Sequence, residues 1–202
     1  MSSWGQSPPP AAHLGWRPRH AAAAITLLLC GTVAWSGALA YQEGPPPAHT
    51  GGFQEPSCQR CHADGPLNDS LGRITVAGLP ERYAPGKRYH ITVTLARPEM
   101  RRGGFQLSAR FAGGERAGRQ AGTLRATDDR ARLSDTAGVQ YVGHTAAGSA
   151  LSGKDSARWV VEWTAPAKSA GAVVFHAAAN AANNDDSEFG DNIYTRSVTT
   201  RP

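Results

Sequence analysis

The chain has 202 residues, 21 of them basic and 16 acidic, for a formal net charge of +5. That length allows one domain with appendages. The mild positive charge is not gathered into a basic stripe interleaved with aromatics, so a nucleic-acid-binding surface is excluded.

Residues 1–40 read as a signal peptide. Arg17, Arg19 and His20 form a basic flank, Ala21 to Trp35 an apolar run, and Ala38-Leu39-Ala40 a small-residue cleavage site before Tyr41. The apolar run falls short of the roughly 20 residues a membrane-spanning helix needs. Cleavage is therefore expected, and membrane attachment would follow only if the segment is not removed. Cys30 lies within this segment after Leu27-Leu28-Leu29, without the small residue a lipoprotein site prefers. It is assigned no role. Loss of Arg17 and Arg19 lowers the net charge to +3. Export places the protein in an oxidising compartment, in the periplasm or outside a bacterial cell. The chain beyond residue 40 is long enough to bury a core without disulfides.

Residues 41–57 contain Pro45-Pro46-Pro47 and Gly51-Gly52 and have the composition of a linker, stiff and then flexible. This linker would leave the next segment on a tether unless that segment docks on the main domain.

Residues 58–70 open with Cys58-Gln59-Arg60-Cys61-His62. Two thiols at this spacing followed by an imidazole match a covalent c-type haem attachment site. The thiols would form thioethers with the haem vinyl groups, and His62 would be the proximal iron ligand. The alternatives are a short Cys58–Cys61 disulfide or a redox Cys-x-x-Cys with an incidental histidine. A redox motif belongs near a βαβ pattern, and none is visible. Ala63 to Ser70 is a loop by its Gly, Pro, Asn and Asp content.

From Leu71 onward, short runs of β-branched and aromatic residues are broken by Gly and Pro. They are 74–76, 89–95, 105–111, 139–142, 159–163, 172–175 and 193–195. Tyr89, Ile91, Val93 and Leu95 share one strand face, and 105–111 is apolar at every odd position. Pro85-Gly86, Gly103-Gly104 and Gly113-Gly114 read as turns. No segment has a helical period of useful length. Many short strands at this spacing predict an all-β, two-sheet sandwich over 71–199. Trp159 and Trp163 are expected on its core face, and Tyr83, Tyr89, Tyr141 and Tyr194 at positions with hydroxyls near water.

Several segments together resemble the Reelin-type (reeler) domain. They are Gly78-Leu79-Pro80, Tyr83-Ala84-Pro85-Gly86, Tyr89, Gly104-Phe105-Gln106-Leu107, Trp163-Thr164-Ala165-Pro166, 175–183 and Gly190-Asp191-Asn192-Ile193-Tyr194. The resemblance covers about residues 49–199. It is nearest to the bacterial exported branch with Cys-x-x-Cys-His just upstream, a choice-of-anchor type. It implies an immunoglobulin-like β-sandwich and no single activity. The family often has Tyr where this chain has His176, and no sorting tail follows Thr199.

A haem iron with one protein ligand binds small molecules, and one with two is usually an electron carrier. His49 sits in the linker. His90 shares the polar face of its strand with Arg88 and Thr92. Met100 falls in a turn without apolar neighbours, and His176 follows an apolar run. His144 ends a strand beside Gly143, where a ring can approach the backbone closely. The resembling family also tends to have His followed by Thr here. His144 is therefore the expected distal ligand, with backbone hydrogen bonding as the alternative. Asn180 to Asp191 is oxygen-rich, in the manner of Ca²⁺ loops. Its spacing is not that of an EF-hand, and a hairpin loop is the expectation. No nucleophile elbow or phosphate loop frames a catalytic group, so no enzyme is expected.

The sequence thus predicts an exported electron carrier with one covalent haem c, served by a redox partner protein. Cys58, Cys61, His62 and His144 would hold the haem. Two nitrogen ligands would give a lower potential than His/Met ligation. The rivals are a haem-free binding or adhesion module and a haem-based small-ligand sensor.

Overall fold

The computed structural model describes residues 41–168 and 171–202, with Met1 and Gly5. The signal-peptide assignment lies outside the described residues, apart from those two. Among the described residues, no helix is long and apolar enough to cross a membrane.

Nine strands are described: β1 (Arg73–Ala77), β2 (Arg88–Ala96), β3 (Arg102–Phe111), β4 (Thr123–Ala126), β5 (Ala131–Thr136), β6 (Val139–His144), β7 (Ser156–Thr164), β8 (Val173–Ala182) and β9 (Asn192–Thr200). They form two antiparallel sheets, ordered β1-β2-β7-β4 and β5-β6-β3-β8-β9. This is the all-β sandwich that the alternating runs predict.

Alternation fills the space between the sheets. Ile91, Val93 and Leu95 of β2 and Trp159, Val161 and Trp163 of β7 are buried there, because residues two apart in a strand share a face. Each Trp spends its one N–H on a backbone carbonyl: Trp159 on Gly148 and Trp163 on Ala121, both at 2.9 Å. Phe105 stacks on Trp159 with ring centroids 4.4 Å apart.

β3 is buried on both faces from Gly103 to Phe111. One face meets the other sheet. Residues 41–57 cover the opposite face, so this stretch is no free tether. The polar side chains of that face, Gln106, Ser108 and Arg110, pair with it. Gln106 accepts from the His49 N–H at 2.7 Å and donates to the Pro46 carbonyl at 2.9 Å. Thr50 lies 3.5 Å from Ser108, and Glu55 pairs with both Arg110 and Tyr141. Proline-rich backbone suits this role, because its carbonyls are left unpaired by any helix or sheet ladder.

Several expectations are corrected. Gly103-Gly104 is not a turn but lies within β3. A Cβ on Gly103 would sit 2.6 Å from that of Ala157, and one on Gly104 would sit 2.8 Å from Cε1 of His144. Met100 closes the expected turn on the Arg97 carbonyl, but it does not lack apolar neighbours: it is 3% exposed and belongs to the core. The tyrosine hydroxyls are held by protein groups. Tyr83 donates to Gly171 at 2.8 Å, Tyr89 accepts from the Ala84 N–H at 2.8 Å, and Tyr194 donates to Asp69 at 2.5 Å. His90 stands on the solvent side as expected, 67% exposed.

Candidate functional site

The Cys-x-x-Cys-His segment is a short 3₁₀ turn over Cys58–Arg60. Ser57 caps it, its hydroxyl accepting from the Gln59 N–H at 3.2 Å. The N–H groups of Cys61 and His62 both turn back to the Cys58 carbonyl, at 3.2 and 3.1 Å. This folds the five residues into an arch with both thiols and the imidazole lining one cleft.

Both ends of the arch are tied down. Upstream, Thr50 bridges Ser57, and the Thr50 hydroxyl donates to Glu55 at 2.8 Å. Downstream, Asp64 accepts from the Gly190 N–H at 2.6 Å. The Asn68 N–H donates to the Ile193 carbonyl at 2.9 Å, and its side-chain oxygen accepts from the Thr195 N–H at 2.8 Å. Asp69 then accepts from Tyr194 and, at 3.1 Å, from Arg97. Segment 58–70 is thereby docked along β9.

The cleft is open to solvent along part of its length. All four residues singled out in the sequence, Cys58, Cys61, His62 and His144, line it. So do Tyr41, Arg102 and the tip of the β8–β9 hairpin, including Asp185 and Asp191. His49 also reaches it. His176 lies elsewhere, packed under Gly52, whose Cβ would sit 2.4 Å from its ring, and edge-on to Phe53. Burial and the nearby Arg110 push the His176 pKa down.

His62 is oriented by Asp191. Its Nδ1 lies 2.8 Å from Asp191 Oδ2, a distance at which Nδ1–H donates to the carboxylate. Asp191 is 2% exposed. It also accepts from the Asn180 side-chain amide at 2.8 Å and the Asn183 N–H at 3.1 Å. A proton fixed on Nδ1 leaves the lone pair on Nε2, an arrangement common among metal-ligating histidines; the Asn180 side-chain amide lies 3.4 Å from that nitrogen. In the sequence Asp191 stands as one acid in an oxygen-rich stretch and as part of the Gly190–Tyr194 segment of the reeler resemblance. Its pairing with His62 depends on the hairpin fold, which no local spacing signals.

The rest of that stretch satisfies its own turn. Asp185 accepts from the Ser187 N–H at 3.0 Å and hydroxyl at 2.9 Å, and Asn183 accepts from the Asp185 N–H at 3.2 Å. Among the described residues, no group of three or more His, Cys, Asp or Glu is arranged to hold a metal ion.

His144 occupies the cleft wall differently from His62. It is 8% exposed, and burial pushes its pKa down, so the ring is neutral at physiological pH. The Phe105 N–H donates to Nδ1 at 3.1 Å, which puts the ring proton on Nε2. Nε2–H then donates to the Tyr41 carbonyl at 3.1 Å. Cys58 and Cys61 are free thiols, and burial pushes the Cys58 thiol up to about 12. This is opposite to the lowered thiol pKa of a disulfide-exchange Cys-x-x-Cys.

No family model matches the chain, and a search among curated proteins finds no match. Solved structures do. The human F-spondin reeler domain matches at 22% identity and a TM-score of 0.45, over 68% of this chain and 95% of its own. The Reelin-N domain of F-spondin matches at 22% identity and 0.45, over 71% and 97%. What the chain shares with these is the two-sheet sandwich. A cohesin module from a Clostridium perfringens family 33 glycoside hydrolase matches at 10% identity and 0.42, over 66% and 98%.

Proposed function

We propose that the chain is an exported, monohaem c-type electron-transfer protein, of the reeler-like kind with the attachment motif ahead of its sandwich. One observation carries this reading. The Cys58-x-x-Cys61-His62 arch and His144, far apart in sequence, line the same cleft. The donor set fits a covalently held haem: two thiols for thioether bonds, and an imidazole with Nδ1 committed to Asp191 and its lone pair on Nε2, which would exchange a 3.4 Å contact with the Asn180 amide for the iron. Bound there, the haem supplies a reversible one-electron iron couple.

The chain's own residues have three tasks. Cys58 and Cys61 fix the macrocycle edge to a turn anchored at both ends. Asp191 fixes the ring orientation and tautomer of His62. Residues 41–49, β3 and the end of β6 form one wall of the cleft, and the polarity of such a wall tunes a redox centre. A partner redox protein would exchange electrons with the bound haem in the periplasm or outside the cell.

The test is an absorption spectrum with an intact mass, on protein matured in the periplasm of a host able to attach haem c. A Soret band and a mass increment of one haem that survives denaturation are expected. Colourless protein at the mass of the bare chain overturns the reading and leaves a binding module. A spectrum that shifts with CO without prior loss of a ligand indicates an open iron site, and thus a sensor rather than a carrier.

A further inference from the structure

His144 has both ring nitrogens in use. For Nε2 to bind iron, the ring proton must move to Nδ1, where it would face the Phe105 N–H at 3.1 Å, donor against donor. The Phe105 carbonyl lies farther off, at 3.4 Å. Ligation would also break the bond from Nε2 to the Tyr41 carbonyl. His144 is built to hold Tyr41.

Residues 41–45 are pinned beside the end of β6. The Gly44 N–H closes a turn on the Tyr41 carbonyl at 2.9 Å. Gly44 adopts φ +108°, and a Cβ there would sit 2.2 Å from the His144 carbonyl oxygen. Only glycine fits that position. Arg132 donates to the Gly44 carbonyl at 3.3 Å, and Pro45 packs 3.2 Å from where a Gly143 Cβ would be. Tyr41 itself lines the same cleft as His62. In the sequence it directly follows the cleavage signal Ala38-Leu39-Ala40.

We propose that Tyr41 becomes the first residue of the exported protein, and that its α-amino nitrogen is the second protein ligand of the haem iron. His144 is then the positioning residue that keeps Tyr41 at the cleft. This rests on the haem reading above. A signal peptidase hydrolyses the Ala40–Tyr41 peptide bond with one water, leaving a carboxylate on Ala40 and an amine on Tyr41. On binding, the amine releases its proton to solvent and donates its lone pair, and the oxidation state of the iron is unchanged. Processing and iron ligation are thereby coupled, because the ligand does not exist until the peptide bond is cut.

The experiment compares three holoproteins matured in the same host: wild type, a variant with Gly-Ser inserted between Ala40 and Tyr41, and His144→Gln. Intact mass gives the first residue and the haem content of each, and the spectrum gives the iron spin state. The glutamine amide can still donate to the Tyr41 carbonyl but offers no imidazole nitrogen. Wild type is expected to start at Tyr41 and be low-spin. The insertion should keep its haem and lose the low-spin signature, while His144→Gln keeps it. Three results overturn the inference and leave the haem reading standing: a first residue other than Tyr41, high-spin wild type, or an insertion variant still low-spin. Low-spin character lost in His144→Gln but kept in the insertion variant assigns the iron to His144. Haem-free protein overturns the haem reading itself.

Discussion

Nδ1 of His62 lies 2.8 Å from Oδ2 of Asp191, joining the Cys58–His62 arch to the β8–β9 hairpin. A buried carboxylate accepting an imidazole N–H makes the other ring nitrogen a stronger donor. On the haem reading proposed above, that favours the ferric state. Asp191→Asn keeps the shape and removes the charge, so the reduction potential should rise, as read by spectroelectrochemical titration. Asp191→Ala also strands the Asn180 amide and the Asn183 N–H. It should lower stability by about 1–3 kcal/mol, the usual penalty for unsatisfied buried groups, as measured by urea denaturation. A potential unchanged in Asp191→Asn would remove Asp191 from any role in tuning the iron.

A second ion pair fixes the upstream end of the arch. Arg110 and Glu55 are 6% and 13% exposed at their side chains, and Tyr141 bonds to both. Removing one partner of a buried pair costs about 3–5 kcal/mol because the other charge is left behind. Glu55→Ala should approach that range, shortened by whatever water reaches Arg110. It should also expose residues 41–57 to limited proteolysis while the sandwich stays intact. If cleavage is no faster than in wild type, the segment is held by its proline and glutamine contacts instead.

What the sequence made legible follows from the range of each signal. β2, β3 and β7 announce themselves by alternation, a purely local pattern. β4 and β5 do not, because Arg125, Arg132, Ser134 and Asp135 break any apolar run. β8 reads as ending near Phe175 but runs on to Ala182. Alanines carry little strand preference of their own, yet here they continue β8 between its two hydrogen-bonded neighbours, β3 and β9. The linker reading of 41–57 fails for a related reason. Proline and glycine signal the lack of helix or sheet, not the lack of a partner. The cue lay in β3 instead, where Gln106, Ser108 and Arg110 form a polar face on a strand too apolar to sit at an edge.

Acid should loosen the downstream end of the arch. Burial alone would raise the Asp69 carboxyl, but hydrogen bonds from Tyr194, Arg97 and the Leu71 N–H outweigh it and hold it below the usual carboxylate range. A group depressed in the folded state adds stability that is fully present above its unfolded pKa, about 3.9 for Asp. That stability is lost as pH falls through the lower folded value. The melting temperature of wild type should therefore drop more steeply below about pH 4 than that of Asp69→Asn. Parallel curves for the two proteins would assign the acid sensitivity to other carboxylates.

Gly104 offers a test of the opposite wall. A Cβ there would lie 2.8 Å from Cε1, 3.2 Å from Nδ1 and 3.3 Å from Nε2 of His144, closer than carbon and nitrogen approach without displacement. In Gly104→Ala the ring must give way, and it is the ring, not β3, that has open space beside it in the cleft. Overpacking of this kind costs about 1–3 kcal/mol. The bonds to Phe105 and Tyr41 should be lost together. Two readouts follow: a lower urea midpoint, and faster amide exchange at Phe105 and Gly44, whose N–H groups are held by His144 and the Tyr41 turn. Exchange that quickens at Phe105 alone would show that Tyr41 is fixed by the Gly44 turn and not by His144.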